Sequence, residues 1–303
     1  MSLTRMMTQT SDETVYHLTL PLHGGEISIQ EQMDGRTEPL AALLELRLEN
    51  GVAKAPVAFF RPLSDMHEGD VVYRAQSGLF ALHWLPNARR FDLFPAVELF
   101  EASVSRMRLW HYATVCAGIG AQLKGLPCLL VHGAMLIHGD GAVVLLGESR
   151  VGKSTTVSRW KCCGHSAPAD DMLLLECASD GIYAYALPTW SRRMEAPDCL
   201  TKPELSAGKA VRVKTVLGLA RGDSHESVEE VSRADYFGQI ARSAFFHCRG
   251  LVKLLREEER QRFSRHISEM GDLLAERFAP RALFAHLDGD LEATLLPYFG
   301  DWR

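Results

Sequence analysis

Residues 131–176 read VHGAMLIHGDGAVVLLGESRVGKSTTVSRWKCCGHSAPADDMLLLE. The runs LLVHGAMLIH (129–138) and GAVVLLG (141–147) are nearly continuous in apolar residues, which is typical of strands buried on both faces of a sheet. After Gly152 the apolar spacing becomes helical, and DMLLLE from Asp171 is again strand-like. The order strand, loop, helix and strand predicts an α/β core around this segment.

The loop inside this segment, Gly147 to Ser154, matches the pattern G-x-x-x-x-G-K-[ST] without a mismatch. Its glycines let successive backbone N–H groups converge on phosphate oxygens, and the following helix N-terminus adds further donors. In this pattern Lys153 bridges the β- and γ-phosphates, and the Ser154 hydroxyl binds Mg²⁺. The sequence therefore predicts a nucleoside triphosphate site. Its candidate nucleotide-binding residues are Gly147, Glu148, Ser149, Arg150, Val151, Gly152, Lys153, Ser154 and Thr155.

The motif alone does not separate kinases, ATPases and GTPases. A guanine-specific GTPase would carry an Asn-Lys-x-Asp motif downstream. The nearest string, Thr201-Lys202-Pro203-Glu204, does not supply it. The sequence therefore disfavours a GTPase.

Two adjacent carboxylates, Asp170 and Asp171, follow Lys153 by 17 and 18 residues. A helix and a turn of that length bring the chain back to the end of the sheet where ligands bind in open α/β folds. One carboxylate would help to hold Mg²⁺, and the other would accept a proton from an incoming hydroxyl. The alternative for either residue is a loop acid that caps a helix or a turn.

Composition narrows the class of protein. The chain has 303 residues, 47% hydrophobic and 23% charged, which suffices for two compact units and excludes disorder over most of its length. Its net charge of -5 disfavours nucleic acid as a general partner. The sequence contains no run of about 18 uncharged apolar residues, so a membrane span is not expected. An odd cysteine count, without a Cys-x-x-Cys pair or a leading signal peptide, predicts a cytoplasmic protein with reduced thiols.

The rest of the chain predicts three regions. Residues 1–100 mix short β-like runs with one helical stretch near 38–49, and they form a small N-terminal α/β unit without a motif. A helix over about 96–124 leads into the α/β core. Residues 228–278 are helical and heavily charged, and the tail 282–299 reads as a last strand and a capping helix.

Taken together, the motifs resemble the catalytic core of HPr kinase/phosphorylase. The family hallmarks are a His-Gly before a strand, a glycine-rich G-[ED]-S-G-x-G-K-S loop, a Gly-His after the helix and an Ala-Asp-Asp opening the next strand. The matching positions here are His132-Gly133, Gly147 to Ser154, Gly164-His165 and Ala169-Asp170-Asp171. The resemblance covers about 45 of 303 residues. A second string, LPTWS at 187–191, looks like a motif of shorter HPr-kinase-like proteins from peptide-modification gene cassettes, such as the SynChlorMet type.

This resemblance implies a P-loop kinase core of the type shared by HPr kinase and phosphoenolpyruvate carboxykinase, with a helical C-terminal region. It implies transfer of phosphate from ATP to a serine hydroxyl of a protein. Lys153 would act on the phosphates and Ser154 on Mg²⁺. Asp171 would be the general base, with Asp170 near the metal. His132 would orient phosphate or base; its alternative is a core histidine bonded to backbone.

The sequence departs from the family pattern at several points. Arg150 replaces the middle glycine of the loop, where a positive φ would be strained, although its guanidinium could contact phosphate. Beyond Glu176 the family's later signature is missing, so the resemblance does not extend to the phosphorolytic reaction or to HPr as substrate. Arg192 and Arg193 are candidate substrate contacts for a phosphate or an acidic group, or else an exposed solubilising pair.

The sequence thus predicts a cytoplasmic, ATP- and Mg²⁺-dependent kinase domain over residues 101–303, acting on a hydroxyl of a peptide or small protein. The N-terminal unit is expected to recognise the substrate or a partner. Nucleic acid and membrane are not expected partners, and the family likeness is compatible with a homo-oligomer. Two rivals remain: a kinase of a free small molecule such as an amino acid, and a non-catalytic regulator that binds nucleotide.

Overall fold

The structure is a computed structural model that describes residues 103–187 and 210–300, and before them the strands given below with residue 87. The described residues exclude Arg192 and Arg193, positions 188–191 of the LPTWS string, and residues 38–48 of the expected helix. The last residue of that expected helix, Glu49, lies in a short strand instead. The chain divides into two compact units, one of residues 1–20 with 26–120 and the other of residues 21–25 with 121–303.

The N-terminal part contains a seven-stranded sheet of order β3-β1-β2-β4-β7-β6-β5. Its strands are β1 Thr14–Leu22, β2 Gly25–Met33, β3 Glu49–Asn50, β4 Ala58–Phe60, β5 Tyr73–Arg74, β6 Phe80–Leu85 and β7 Arg90–Pro95. Strands β6 and β7 pair antiparallel, and Trp84 packs on its cross-strand partner Phe91 with ring centroids 4.6 Å apart. Helix α1, Ser103–Leu123, follows this sheet. It ends at Gly125, whose φ of 82° places it in the left-handed conformation that commonly terminates helices.

The second unit is built on an eight-stranded sheet of order β10-β8-β11-β12-β13-β15-β14, in which β9 pairs with both β8 and β13. Its strands are β8 Cys128–His138, β9 Gly141–Leu146, β10 Ser166–Ala169, β11 Met172–Ala178, β12 Gly181–Ala186, β13 Val211–Arg221, β14 Ser227–Glu230 and β15 Arg281–Ala285. Strand β13 runs parallel to β9 and to β15, and the other pairs are antiparallel. These elements establish a mixed α/β fold. Strands β8, β9, β13, β12 and β11 form a closed circuit of pairings.

Helices cover this sheet. They are α2 Lys153–Cys162, α3 Arg233–Cys248, α4 Glu257–Arg277 and α5 Leu291–Leu295, with short 3-10 turns at Val252–Leu254 and Leu296–Phe299. The expectation of continuous helix from residue 228 is wrong at its start, because Val228 pairs with Leu283 in strand β14. None of the helices within the described residues is long and apolar enough to cross a membrane.

Helix α2 is fixed to the sheet by one face. Its buried residues Lys153, Thr156, Val157 and Trp160 recur at the spacing of an amphipathic helix. The indole N–H of Trp160 donates to the carbonyl oxygen of Ile137 at 3.1 Å, so the only polar atom of this buried side chain is satisfied. Because Lys153 is the first residue of the same buried face, the packing of Trp160 sets where the lysine points.

Candidate functional site

The loop 147–152 leaves the carboxyl end of the buried strand β9 and enters helix α2. Gly147 is required by close packing, since a Cβ there would lie 2.8 Å from Cγ1 of Val151 and 3.3 Å from the carbonyl oxygen of Leu219. Gly152 has a φ of 118°, which favours glycine over residues with a side chain. The two glycines of the motif are therefore used for different reasons, one for space and one for backbone conformation.

Lys153 closes the loop from inside. Its Nζ donates to the carbonyl oxygens of Gly147 and Glu148, both at 2.8 Å. Burial lowers the pKa of Lys153 to about 8, while the nearby carboxylates of Asp171, Asp170 and Glu148 act in the opposite direction. Both aspartates of the Ala-Asp-Asp string, 17 and 18 residues further along the chain, thus act electrostatically on this ammonium.

Arg150 adopts the left-handed conformation, with a φ of 69°. It is the single non-glycine residue with positive φ among the residues that the structure describes. The carbonyl oxygen of Arg150 accepts a hydrogen bond of 2.9 Å from the guanidinium of Arg221, at the end of β13. Arg242 of α3 pairs with Glu148 of the loop at 3.3 Å. Two arginines distant in sequence thus contact the loop.

Asp171 lies between two imidazoles. Nδ1 of His132, on β8, lies 3.0 Å from Oδ1 of Asp171 and 2.9 Å from its carbonyl oxygen. Nε2 of His247, in the last turn of α3, lies 3.8 Å from the same Oδ1 and 3.2 Å from the same carbonyl. The side chains of both histidines are buried, and that of Asp171 is about 20% exposed. Sequence reasoning missed His247, because a lone histidine at the end of a charged helix gives no signal of its own.

One nitrogen of His132 is used and the other is not. Its Nδ1 faces two oxygen acceptors and therefore carries a proton. Nε2 is buried, and none of the described residues forms a hydrogen bond with it. The ring is held in place by stacking on Phe246, with centroids 4.0 Å apart. His132 therefore presents a polar atom without a hydrogen-bond partner at a fixed position.

A cavity of about 590 Å³ opens beside the loop. It is lined by His132, by residues 147–151 of the loop, by residues 219–221 at the end of β13, and by the inner side of α3 with Gln239, Arg242, Ser243, Phe246 and the following Arg249. Four of its lining residues are arginines, and its one carboxylate is Glu148. The cavity has the volume of an ordinary small-ligand site.

Two groups of residues offer donors to a metal ion. The ligand atoms of His132, Asp171 and His247 lie within 4.8 Å of one another, and Ser154 and Asp170 carry oxygen donors. Ser154 and Thr155 are exposed in the first turn of α2, and Asp170 is half-buried where β10 ends. A hydroxyl and a carboxylate are hard oxygen donors, which is the donor set that Mg²⁺ prefers. Ser154 and Asp170 therefore fit a magnesium ion by their chemistry. Thr155 lines a separate shallow pocket with Arg159, Cys162 and Cys163.

One family model matches more than half of the chain. Residues 97–269 match the model of a family described as SynChlorMet cassette protein ScmC. Among solved structures, the Hpr(Ser) kinase/phosphatase from Coxiella burnetii matches with 18% identity and a TM-score of 0.26. That match covers 30% of this chain and 65% of the other, so this chain spans less than two thirds of the length of that relative. A search of curated proteins gives no match.

Proposed function

This chain belongs to the family of SynChlorMet cassette protein ScmC, whose model matches more than half of its residues, and we propose that it is an ATP- and Mg²⁺-dependent kinase. The reaction is the transfer of the γ-phosphoryl group to a hydroxyl, in particular a serine, of a peptide or small protein. The proposal includes a P-loop kinase core of the type that HPr kinase and phosphoenolpyruvate carboxykinase share. It assigns residues 101–303 to that domain in the cytoplasm and residues 1–100 to recognition.

The observation that carries the proposal is the convergence of the loop and the carboxylates on Lys153. The ammonium holds two loop carbonyls at 2.8 Å and interacts electrostatically with Asp170 and Asp171. A buried cation at the start of a helix, on a loop that follows a buried strand, is the arrangement that stabilises phosphate oxygens. A phosphoryl donor bound there would lie close to the carboxylate that two histidines hold in place.

The proposed step needs a base, a cation and alignment. The hydroxyl of the acceptor loses its proton to the carboxylate of Asp171, and its oxygen forms a bond to the γ-phosphorus. The bond from that phosphorus to the β,γ-bridging oxygen breaks, and ADP leaves with the electron pair. Lys153 stabilises the negative charge that gathers on the phosphoryl oxygens, and His132 and His247 keep Asp171 oriented.

Magnesium would contribute charge neutralisation between the β- and γ-phosphates when it is bound. Ser154 and Asp170 are the residues that would hold it, since they offer a hydroxyl in the exposed first turn of α2 and a half-buried carboxylate after β10. In this assignment the two adjacent aspartates differ in role: Asp170 faces the metal and Asp171 the acceptor.

One observation favours a second candidate, a non-catalytic regulator that binds nucleotide. Arg150 takes the strained conformation that a glycine would adopt without cost, and its carbonyl is tied to Arg221. A loop that carries a strained arginine in place of the middle glycine suits nucleotide binding without turnover. The two functions differ in whether the carboxylate of Asp171 is needed. A third reading, a kinase of a free small molecule, would place the phosphate on a metabolite.

The test incubates the protein with γ-labelled ATP and Mg²⁺ over an immobilised library of serine peptides and over a pool of free amino acids. Products are identified by mass spectrometry. We expect a labelled peptide with the native protein, and loss of the label in Lys153→Ala and in Asp171→Asn. Glu269→Gln, an exposed acid on α4, is the matched control and should keep full activity.

The outcomes separate the candidates. Label on an amino acid alone would replace the peptide kinase by a small-molecule kinase. ATP binding without transfer to either pool would favour the regulator. Failure to bind ATP at all would overturn the nucleotide site itself.

A further inference from the structure

We propose that the arginine-lined cavity beside the loop is the acceptor site, and that it takes a peptide segment rich in aspartate or glutamate around the phosphorylated hydroxyl. This inference rests on the proposed function, because it names the substrate class of the same site. It goes further, since neither the motif nor the family match says which acceptor the protein prefers.

The cavity carries a local excess of positive charge. The guanidinium groups come from three parts of the chain: Arg150 from the loop, Arg221 from the end of β13, and Arg242 and Arg249 from α3 and the residue that follows it. Only Glu148 opposes them within the lining, and it is already paired with Arg242 at 3.3 Å. The chain as a whole carries a net charge of -5, so this is a local concentration of positive charge in an acidic protein. Arginine forks match carboxylates in geometry as well as charge.

The cavity lies against the candidate nucleotide-binding loop. The cavity is lined by residues 147–151, whereas Gly152, Lys153, Ser154 and Thr155 are not part of its lining. The cavity therefore shares residues 147–151 with the candidate nucleotide-binding loop, while Lys153 and Ser154 lie beyond its lining. An acceptor in the cavity would contact the same loop that holds the phosphates, which is the proximity that phosphoryl transfer requires.

A buried histidine supports the same assignment. His132 lines the cavity, and its Nε2 has no hydrogen-bond partner among the described residues. A polar group of a bound peptide, such as a hydroxyl, would satisfy that atom. The opposite nitrogen of the same ring contacts Asp171, so a group bound to Nε2 would lie one imidazole ring away from the base. The cavity thus adjoins the group that has to receive the proton.

The test measures peptide binding by fluorescence anisotropy, in the absence of nucleotide. The probe is a fluorescein-labelled heptapeptide with a central serine flanked by glutamate and aspartate, compared with the same peptide carrying glutamine and asparagine. We expect the acidic peptide to bind more tightly, and its affinity to fall with salt. In Arg242→Gln/Arg249→Gln the affinity should drop by about tenfold or more. Both side chains are exposed, so this variant keeps its fold.

The matched control is Arg262→Gln/Arg265→Gln, which removes the same charge from two exposed positions of α4. It should change the affinity for the acidic peptide by less than about twofold, through long-range charge alone. Equal binding of the acidic and neutral peptides, or an equal loss in the control, would overturn the proposal. So would a parallel loss of ATP affinity in Arg242→Gln/Arg249→Gln, because the cavity would then belong to the nucleotide. The kinase proposal survives these failures, since Lys153→Ala and Asp171→Asn test it separately.

Discussion

His247 contacts Asp171 from a position 76 residues further along the chain, with Nε2 3.2 Å from the aspartate's carbonyl oxygen. His132 contacts the same carbonyl from 39 residues earlier, at 2.9 Å. Backbone and side-chain oxygens of Asp171 thus face imidazoles from both a strand and a helix. The orientation of the carboxylate therefore depends on tertiary contacts. Removing one of these contacts should lower turnover more than it lowers nucleotide affinity.

His247→Phe should lower kcat by about tenfold, because Asp171 loses one of the two imidazoles beside it, while KM for ATP stays unchanged. His247→Gln keeps a side-chain donor and should recover part of the rate. The measurement is steady-state kinetics with the peptide found in the library screen. His225→Phe, an exposed histidine in the turn after β13, should have no effect. A rise in KM for ATP with constant kcat would assign His247 to the nucleotide instead.

ATP affinity should fall as pH rises through about 8, because burial lowers the pKa of Lys153 to about 8 in the ligand-free protein. Below that pH the ammonium is already formed, and affinity is flat. Above it, phosphate binding has to supply a proton to the lysine, which costs up to about tenfold in affinity per pH unit. Calorimetry at alkaline pH in buffers of different ionisation enthalpy should show proton uptake.

Lys153→Arg is the control for this pH dependence, since a guanidinium stays protonated throughout the range. Any residual ATP binding by this variant should therefore be insensitive to pH near 8. If native affinity did not change with pH, phosphate would not be in contact with Lys153.

Arg150→Gly should stabilise the protein by about 1 kcal/mol, because glycine adopts a positive φ without the penalty that arginine carries. Arg150→Val should destabilise it, since a β-branched residue tolerates this conformation least. Urea unfolding of the ligand-free protein measures both changes. Destabilisation by glycine would mean that contacts of the arginine side chain outweigh its backbone strain.

Tyr185→Phe should lower the free energy of unfolding by about 1–3 kcal/mol, because it removes a donor from a buried carboxylate. The hydroxyl of Tyr185, on β12, donates to Glu176 of β11 at 2.6 Å, and Glu176 is fully buried. Tyr183→Phe is the control: its hydroxyl donates to Asp180 at 2.7 Å on the surface, and its loss should cost under about 0.5 kcal/mol. Equal effects in urea unfolding would contradict the role assigned to burial.

The strand, loop, helix and strand around Gly147 could be predicted from the sequence, because each of these elements has a local signal. The apolar run before Gly147 and the helical spacing after Gly152 suffice to predict strand, loop and helix. Asp170 and Asp171 follow after enough residues for one helix and one turn, which bring the chain back to the same end of the sheet. By contrast, Arg221 reaches the loop because β13 lies parallel to β9, and strand order has no signature in hydrophobic periodicity.

The residues from α3 were beyond sequence reasoning for the same reason. The charged sequence around α3 predicts a solvent-exposed helix. It does not indicate which side of that helix faces the site, and therefore whether Arg242, His247 and Arg249 do. That direction depends on how α3 packs on β8, which a single sequence does not state. The closed circuit of strands was likewise not predicted, since it depends on β9 pairing with two neighbours at once.

Helix α2 has unequal ends. Within the described surroundings of Lys153, no side chain caps its first turn, whereas Ser232 caps α3 and Asp290 caps α5. Its far end is anchored by Arg159, which holds both carboxylate oxygens of Glu226 at 2.8 and 2.9 Å. Amide hydrogens should therefore exchange with solvent quickly at the start of this helix and slowly at its end. A bound phosphate would accept hydrogen bonds from the first amides of the helix and slow their exchange. The exchange rates of α2 would therefore report whether the site is occupied.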